Sequence, residues 1–170
     1  MHGVGVVEIT TNGARLIHES IPLHLHGARL DIKRFPKRFR ETLTEADNVF
    51  RAGSPAKACS IIYDEIEAIS RNLADRTYQK GLWKNPPQNI RFYKVPWAGV
   101  MDELSQQLDY KRCPKVSRPL LARILGITEH RNESGHKPRN RAARVKRDQE
   151  LRTRFEAAAD LLFDVATVKV

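Results

Sequence analysis

The residues best suited to chemistry stand together at Arg131-Asn132-Glu133-Ser134-Gly135-His136. Arginine presents a rigid cationic fork that suits a phosphate. Histidine exchanges a proton near neutral pH. Asn132 and His136 are four apart, so a helix would stack them on one face with Arg131 on its flank. Spacing by itself is cheap: chance gives about 0.7 bare Arg-x4-His matches in a chain of this composition, and roughly 0.03 once Asn must follow the Arg. The three residues together are therefore the signal. The bland alternative is a charged, solvated helix end.

This kit fits cleavage of RNA without a metal. There the 2′-OH attacks its own phosphate, giving a cyclic phosphate and a free 5′-OH. The reaction needs a base, an acid and positive charge on the phosphorane. His136 would move protons, Arg131 would hold the phosphate, and Asn132 would orient the phosphate or the imidazole ring. A basic stretch follows. From Lys137 to Arg154 there are eight Lys and Arg against two acids. Lys137, Arg139, Arg141 and Arg144 lie where a polyanion would enter and are the RNA-binding candidates. The competing reading is a solvated helix face with i,i+4 ion pairs. Glu65 and Glu67, on an earlier helix, could reach the motif in three dimensions. Sequence cannot show it.

Elements must position these groups. Residues 1–35 read as a small β-rich segment, with Asn12-Gly13 as a tight turn between Val4–Ile9 and Ala14–Ile17. His24 and His26 share a strand face but have no third ligand at metal spacing, so no metal site is expected. From Pro36 the pattern turns helical. Phe39, Leu43, Ala46 and Phe50 repeat at helical spacing, and Gly53 closes that helix. Ser54-Pro55 restarts a long one, with Ala58, Ile62, Ile66, Ile69 and Leu73 on one face. A loop bearing Trp83, Phe92, Tyr93 and Trp97 runs to about Gly99. Its aromatics could stack on bases, though pinning the loop to a bundle is the favoured expectation. A short helix over 100–108, one from Ser117 into the motif, and a final helix over about 142–167 complete the chain.

This arrangement resembles the HEPN superfamily (higher eukaryotes and prokaryotes nucleotide-binding). The Arg131-Asn132-x-x-x-His136 form matches its motif near the end of the penultimate major helix. Residues 45–69 are similar to its opening helix pair, and the "AAADLLFDV" ending is similar to its closing helix. The resemblance covers about Pro36 to Val168. It implies a mainly α fold: a four- to five-helix bundle over 36–170, behind the β-rich segment. It implies a metal-independent endoribonuclease, with Arg131, Asn132 and His136 in a composite site at a homodimer interface. Antiphage defence or a toxin–antitoxin role, with a neutralising or activating protein partner, is the implied context. The alternative is a non-catalytic bundle of this type that binds RNA, nucleotides or protein. No cofactor is expected.

Composition bounds the rest. The net charge of +10 attracts polyanions without telling RNA from DNA. No helix-turn-helix spacing, zinc-ligand set or basic zipper favours DNA. No segment has the apolar length to cross a bilayer, and no secretory segment is seen near Met1, so a cytoplasmic chain with no membrane partner is expected. Its two cysteines, Cys59 and Cys113, are then reduced. Cys59 falls on an apolar helix face and reads as packing. Cys113 lies in a loop beside Lys111 and Arg112, which could activate a thiol, but no base stands nearby in sequence.

Overall fold

The computed structural model describes residues 6–10, 13–17, 30–88, 90–133, 140–168 and 170, with backbone alone at 6–10, 13–17, 132 and 133. The chain divides into two compact units, Met1–Leu30 and Asp31–Val170. In the first, β1 (Val6–Thr10) and β2 (Gly13–Ile17) pair antiparallel, Thr10 opposite Gly13 and Val6 opposite Ile17. A hairpin is therefore present as the sequence leads one to expect, but its register puts Gly13 in β2 rather than in the turn, so residues 11 and 12, and not Asn12-Gly13, connect the strands. His24 and His26 lie outside the described residues.

Among the described residues the second unit is a bundle of five α-helices, α1 (Arg40–Arg51), α2 (Pro55–Gln79), α3 (Trp97–Gln107), α4 (Arg118–Glu133) and α5 (Arg141–Thr167), preceded by short 3-10 turns at Ile32–Arg34 and Lys37–Phe39. The mainly α architecture therefore stands. Residues 31–35, read from sequence as part of the N-terminal segment, belong to this unit. Phe35 is buried and meets the Phe163 ring edge-on at 5.4 Å. Burial of one aromatic outweighs the lack of a helical repeat there.

α2 is the central element, packing against α1, α3, α4 and α5. Its apolar positions Ala58, Ile62, Ile66, Ile69 and Leu73 are all buried, as the helical spacing requires. Pro55 opens it at a position where a missing N–H costs nothing. Gly53, at φ +81°, supplies the left-handed turn between α1 and α2 that an L side chain resists. On the opposite flank, Leu151, Phe155, Ala158, Leu162 and Val165 bury one face of α5, with Phe155 stacked on Phe50 at 4.3 Å.

α3 begins three residues earlier than its sequence reading. Pro96 sets the entry, and its carbonyl accepts from Val100 N–H at 3.1 Å. Gly99 is thus inside the helix rather than a breaker. A Cβ there would lie 3.3 Å from Val95 Cγ1, so the glycine serves a close approach. No helix among the described residues is long and apolar enough to cross a membrane.

Candidate phosphate site at the end of helix α4

Arg131 lies on the last described turn of α4, and α4 is held against α2, α3 and α5 by buried Leu121, Ile124 and Ile127. That packing aims the end of α4 across the middle of α2. Arg131, its side chain 42% exposed, donates through Nη2 to Asp64 at 2.8 Å and through Nη1 to Glu67. Asp64, Glu67 and Arg71 follow one another at helical spacing on α2, so they form one charged stripe beside its apolar face. Glu67 is shared: its other oxygen accepts from Arg71 Nε at 2.9 Å.

Arg71 extends the network away from α4. Its Nη1 donates to the carbonyl of Val95 at 2.8 Å and to that of Phe92. Burial lowers the pKa of Arg71, and the nearby Tyr93 works against that shift. An arginine so far above neutrality stays charged. The cluster therefore holds two positive and two negative groups, and Arg131 is oriented by carboxylates on the face turned to α2.

Of the sequence candidates, Glu67 meets the motif. Glu65 does not: it turns to α1 and accepts from Thr42 Oγ1 at 3.1 Å. Asp64 was missed. Its signal was available, three residues before Glu67 on the same face, but nothing in the sequence says which face α4 crosses. The side chain of Asn132, and His136, Lys137 and Arg139 entirely, lie outside the described residues. Arg141 and Arg144 are exposed on the first turn of α5. That turn carries no acid, and Asn140 caps it by accepting from Ala143 N–H at 2.8 Å. Two arginines at the positive end of a helix dipole oppose the usual stabilising arrangement and strengthen the pull on anions.

Immediately before Arg131 in the chain, His130 lines a cavity of about 270 Å³ between α2, α4 and α5, with Tyr63, Arg123 and Arg154 among its other walls. A shallower depression of about 410 Å³ lies at the opposite end of α4, around Lys115 and Leu120, away from the motif. Among the described residues no three His, Cys, Asp or Glu side chains are grouped to hold a metal.

Both thiols are buried. Cys59 donates to the carbonyl of Leu151 at 3.4 Å, and burial pushes its pKa up from 9.0 to about 11, against the opposing pulls of Tyr63 and Arg154. It is a packing residue. Cys113, beside two basic residues in sequence, is equally covered.

The aromatic loop splits. Trp83, Phe92 and Trp97 are buried. Trp83 Nε1–H donates to Thr77 Oγ1 at 2.9 Å and Trp97 Nε1–H to Ser70 Oγ at 2.8 Å. Tyr93 is the exception, at 73% exposed.

Compared with protein-family models, curated proteins and solved structures, the chain matches none.

Proposed function

We propose that this chain is a metal-independent endoribonuclease of the HEPN type, acting as a homodimer with the two motifs in one composite site. The observation that supports this most is the placement of Arg131. It stands at the end of α4, five positions before His136 in the chain, with its side chain 42% exposed and its guanidinium oriented by two carboxylates. An arginine whose geometry is set in advance loses little freedom on meeting a phosphate. The exposed first turn of α5 follows seven residues after α4 in the chain and adds Arg141 and Arg144 as backbone contacts.

In this reading the RNA 2′-OH loses its proton as it attacks the adjacent phosphorus. The 5′-oxygen leaves with a proton from an acid. His136, alone or paired across the dimer, makes the transfers. Arg131 takes up the charge that develops on the phosphorane oxygens. Asp64 and Glu67 keep its fork from swinging away. Defence against phage, or a toxin role with a neutralising partner, is the biological setting that the resemblance suggests.

A second reading draws on the same carboxylates. With Asp64 and Glu67 engaged, Arg131 also serves as a tie between α2 and α4, as it would in a non-catalytic bundle that binds RNA, nucleotides or protein. Cleavage of RNA in EDTA separates the two. The nuclease reading expects products ending in cyclic phosphate and a loss of about 10²–10⁴-fold in His136→Ala, with Arg131→Lys also impaired while helical content is retained. A folded wild-type dimer that cuts no RNA, or cleavage undiminished in His136→Ala, selects the binding module.

A further inference from the structure

We infer that Tyr93 is a stacking platform for an unpaired base of the RNA whose phosphate is held at Arg131. The inference rests on the RNA reading above and adds the substrate's strandedness and a residue that reads it.

The loop that carries Tyr93 is built to present it. Lys94 N–H donates to the Arg91 carbonyl at 2.8 Å, closing a turn with Phe92 and Tyr93 at its centre. Phe92 points inward, 4% exposed, and meets the rings of Tyr78 and Trp83 edge-on at 5.5 and 5.7 Å. Tyr93, next in line, points out. Arg71 fixes the turn from below by bonding the carbonyls on both sides of Tyr93, those of Phe92 and Val95. The loop is secured elsewhere too: Lys84 N–H donates to the Gln107 carbonyl at 2.7 Å, Asp109 N–H to the Leu82 carbonyl at 2.8 Å, and Tyr78 Oη–H to the Pro87 carbonyl at 3.1 Å. A large ring displayed on a fixed turn has already given up the freedom that binding would otherwise take away.

Three observations direct this ring to a nucleic acid. First, the turn that carries it is tied to the network around Arg131: Arg71, which holds that turn, and Arg131 bond the same Glu67 carboxylate. Second, its immediate company is cationic and exposed, with Arg91 and Lys94 on either side. Third, the chain from Arg76 to Met101 carries five Lys and Arg and no acid. An aromatic face between cations, on a turn linked through Arg71 and Glu67 to Arg131, suits a single strand, whose backbone follows the charges while a base covers the ring. A duplex keeps its bases stacked on one another and offers the ring no face.

The test is affinity for a short single-stranded 2′-O-methyl RNA, which cannot attack its own phosphate, beside its duplex. It is measured by fluorescence anisotropy for the wild-type chain, Tyr93→Ala and Tyr93→Phe. Tyr93→Ala is expected to bind the single strand roughly tenfold more weakly, with its salt dependence unchanged because no charge is lost, and Tyr93→Phe to bind like the wild type. Arg91→Ala with Lys94→Ala should instead flatten the salt dependence. Unchanged affinity in Tyr93→Ala, with the wild type binding single strands, overturns the inference and leaves the nuclease reading standing. Loss of dimer in Tyr93→Ala, seen by sedimentation, assigns the ring to a subunit contact and also overturns it. A wild-type chain that binds no RNA removes both readings. One that binds through Tyr93 without cutting its unmethylated counterpart removes only the nuclease.

Discussion

The two halves of α5 share one continuous backbone and have opposite surroundings. From Arg141 to Glu150 every residue except Arg147 is exposed, including Val145 at 52%. From Leu151 onward one face is buried: Leu151, Phe155, Ala158, Ala159, Leu161, Leu162 and Val165. The second half is held by the core. The first half is held by its hydrogen bonds, its Asn140 cap and its continuity with the second, because a helix once nucleated extends at little cost. Nothing in the core requires its two first-turn arginines, and the helix dipole disfavours them. The contrast assigns folding to the second half and leaves the first as the proposed place of anion contact.

Breaking the core half should have the largest effect. Phe155→Ala removes a ring that is 2% exposed and stacked on Phe50, and a loss of about 3–5 kcal/mol in denaturant unfolding is expected. A loss under about 1 kcal/mol would mean that this half is not the anchor. The boundary between the halves has its own signature. Leu151, the first buried residue, accepts from the Cys59 thiol, whose pKa is raised from 9.0 to about 11. A raised pKa favours the neutral, folded form. This contribution is therefore full below pH 9, and it declines as pH rises from 9 through 11, because the unfolded chain ionises first. Stability should fall more steeply over that window in the wild type than in Cys59→Ala. Parallel curves would contradict the assignment.

The exposed half should respond in binding rather than folding. Replacing Arg141 and Arg144 together by Ala should leave the melting temperature unchanged or slightly higher. The same change should weaken RNA binding several-fold, and the salt slope should drop by about 1.4–1.8 if each arginine meets one phosphate. A fall in stability with no change in slope would reverse the assignment of the two halves. Asn140→Ala is expected to cost about 1 kcal/mol through loss of the cap. The smallest change expected is a gain of about 0.3–1 kcal/mol in Asn140→Asp, where a carboxylate meets both the dipole and the arginines, measured at low salt and vanishing as salt is raised.

What could be read in the chain was what repeats locally. The faces of α1, α2 and the second half of α5 follow from apolar residues three and four apart, since the helix itself brings those positions together. The turn at Gly53 and the start at Pro55 follow from the restrictions of single residues. The start of α3 was misplaced because Gly99 has the composition of a breaker, while its tight contact with Val95 is visible only in space. The Arg131 motif could be found by its residue types. Its ion pairs could not, since Asp64 and Glu67 lie 67 and 64 residues away and depend on the angle at which α4 crosses α2.

The aromatic loop shows the same limit. Four large rings in sequence carry no mark telling a buried one from an exposed one, and hydrophobicity would bury them all. Packing against α2 and α3 left room for Trp83, Phe92 and Trp97, and the turn closed by Arg91 and Lys94 turned the next ring outward. Sequence by itself determined a basic, mainly helical chain, the faces of its helices and the residues able to handle a phosphate, because those properties are local. Tertiary structure alone decided that Arg131 meets Asp64 and Glu67, that Glu65 turns away, and that Tyr93 stands in solvent, because each depends on how separate elements pack.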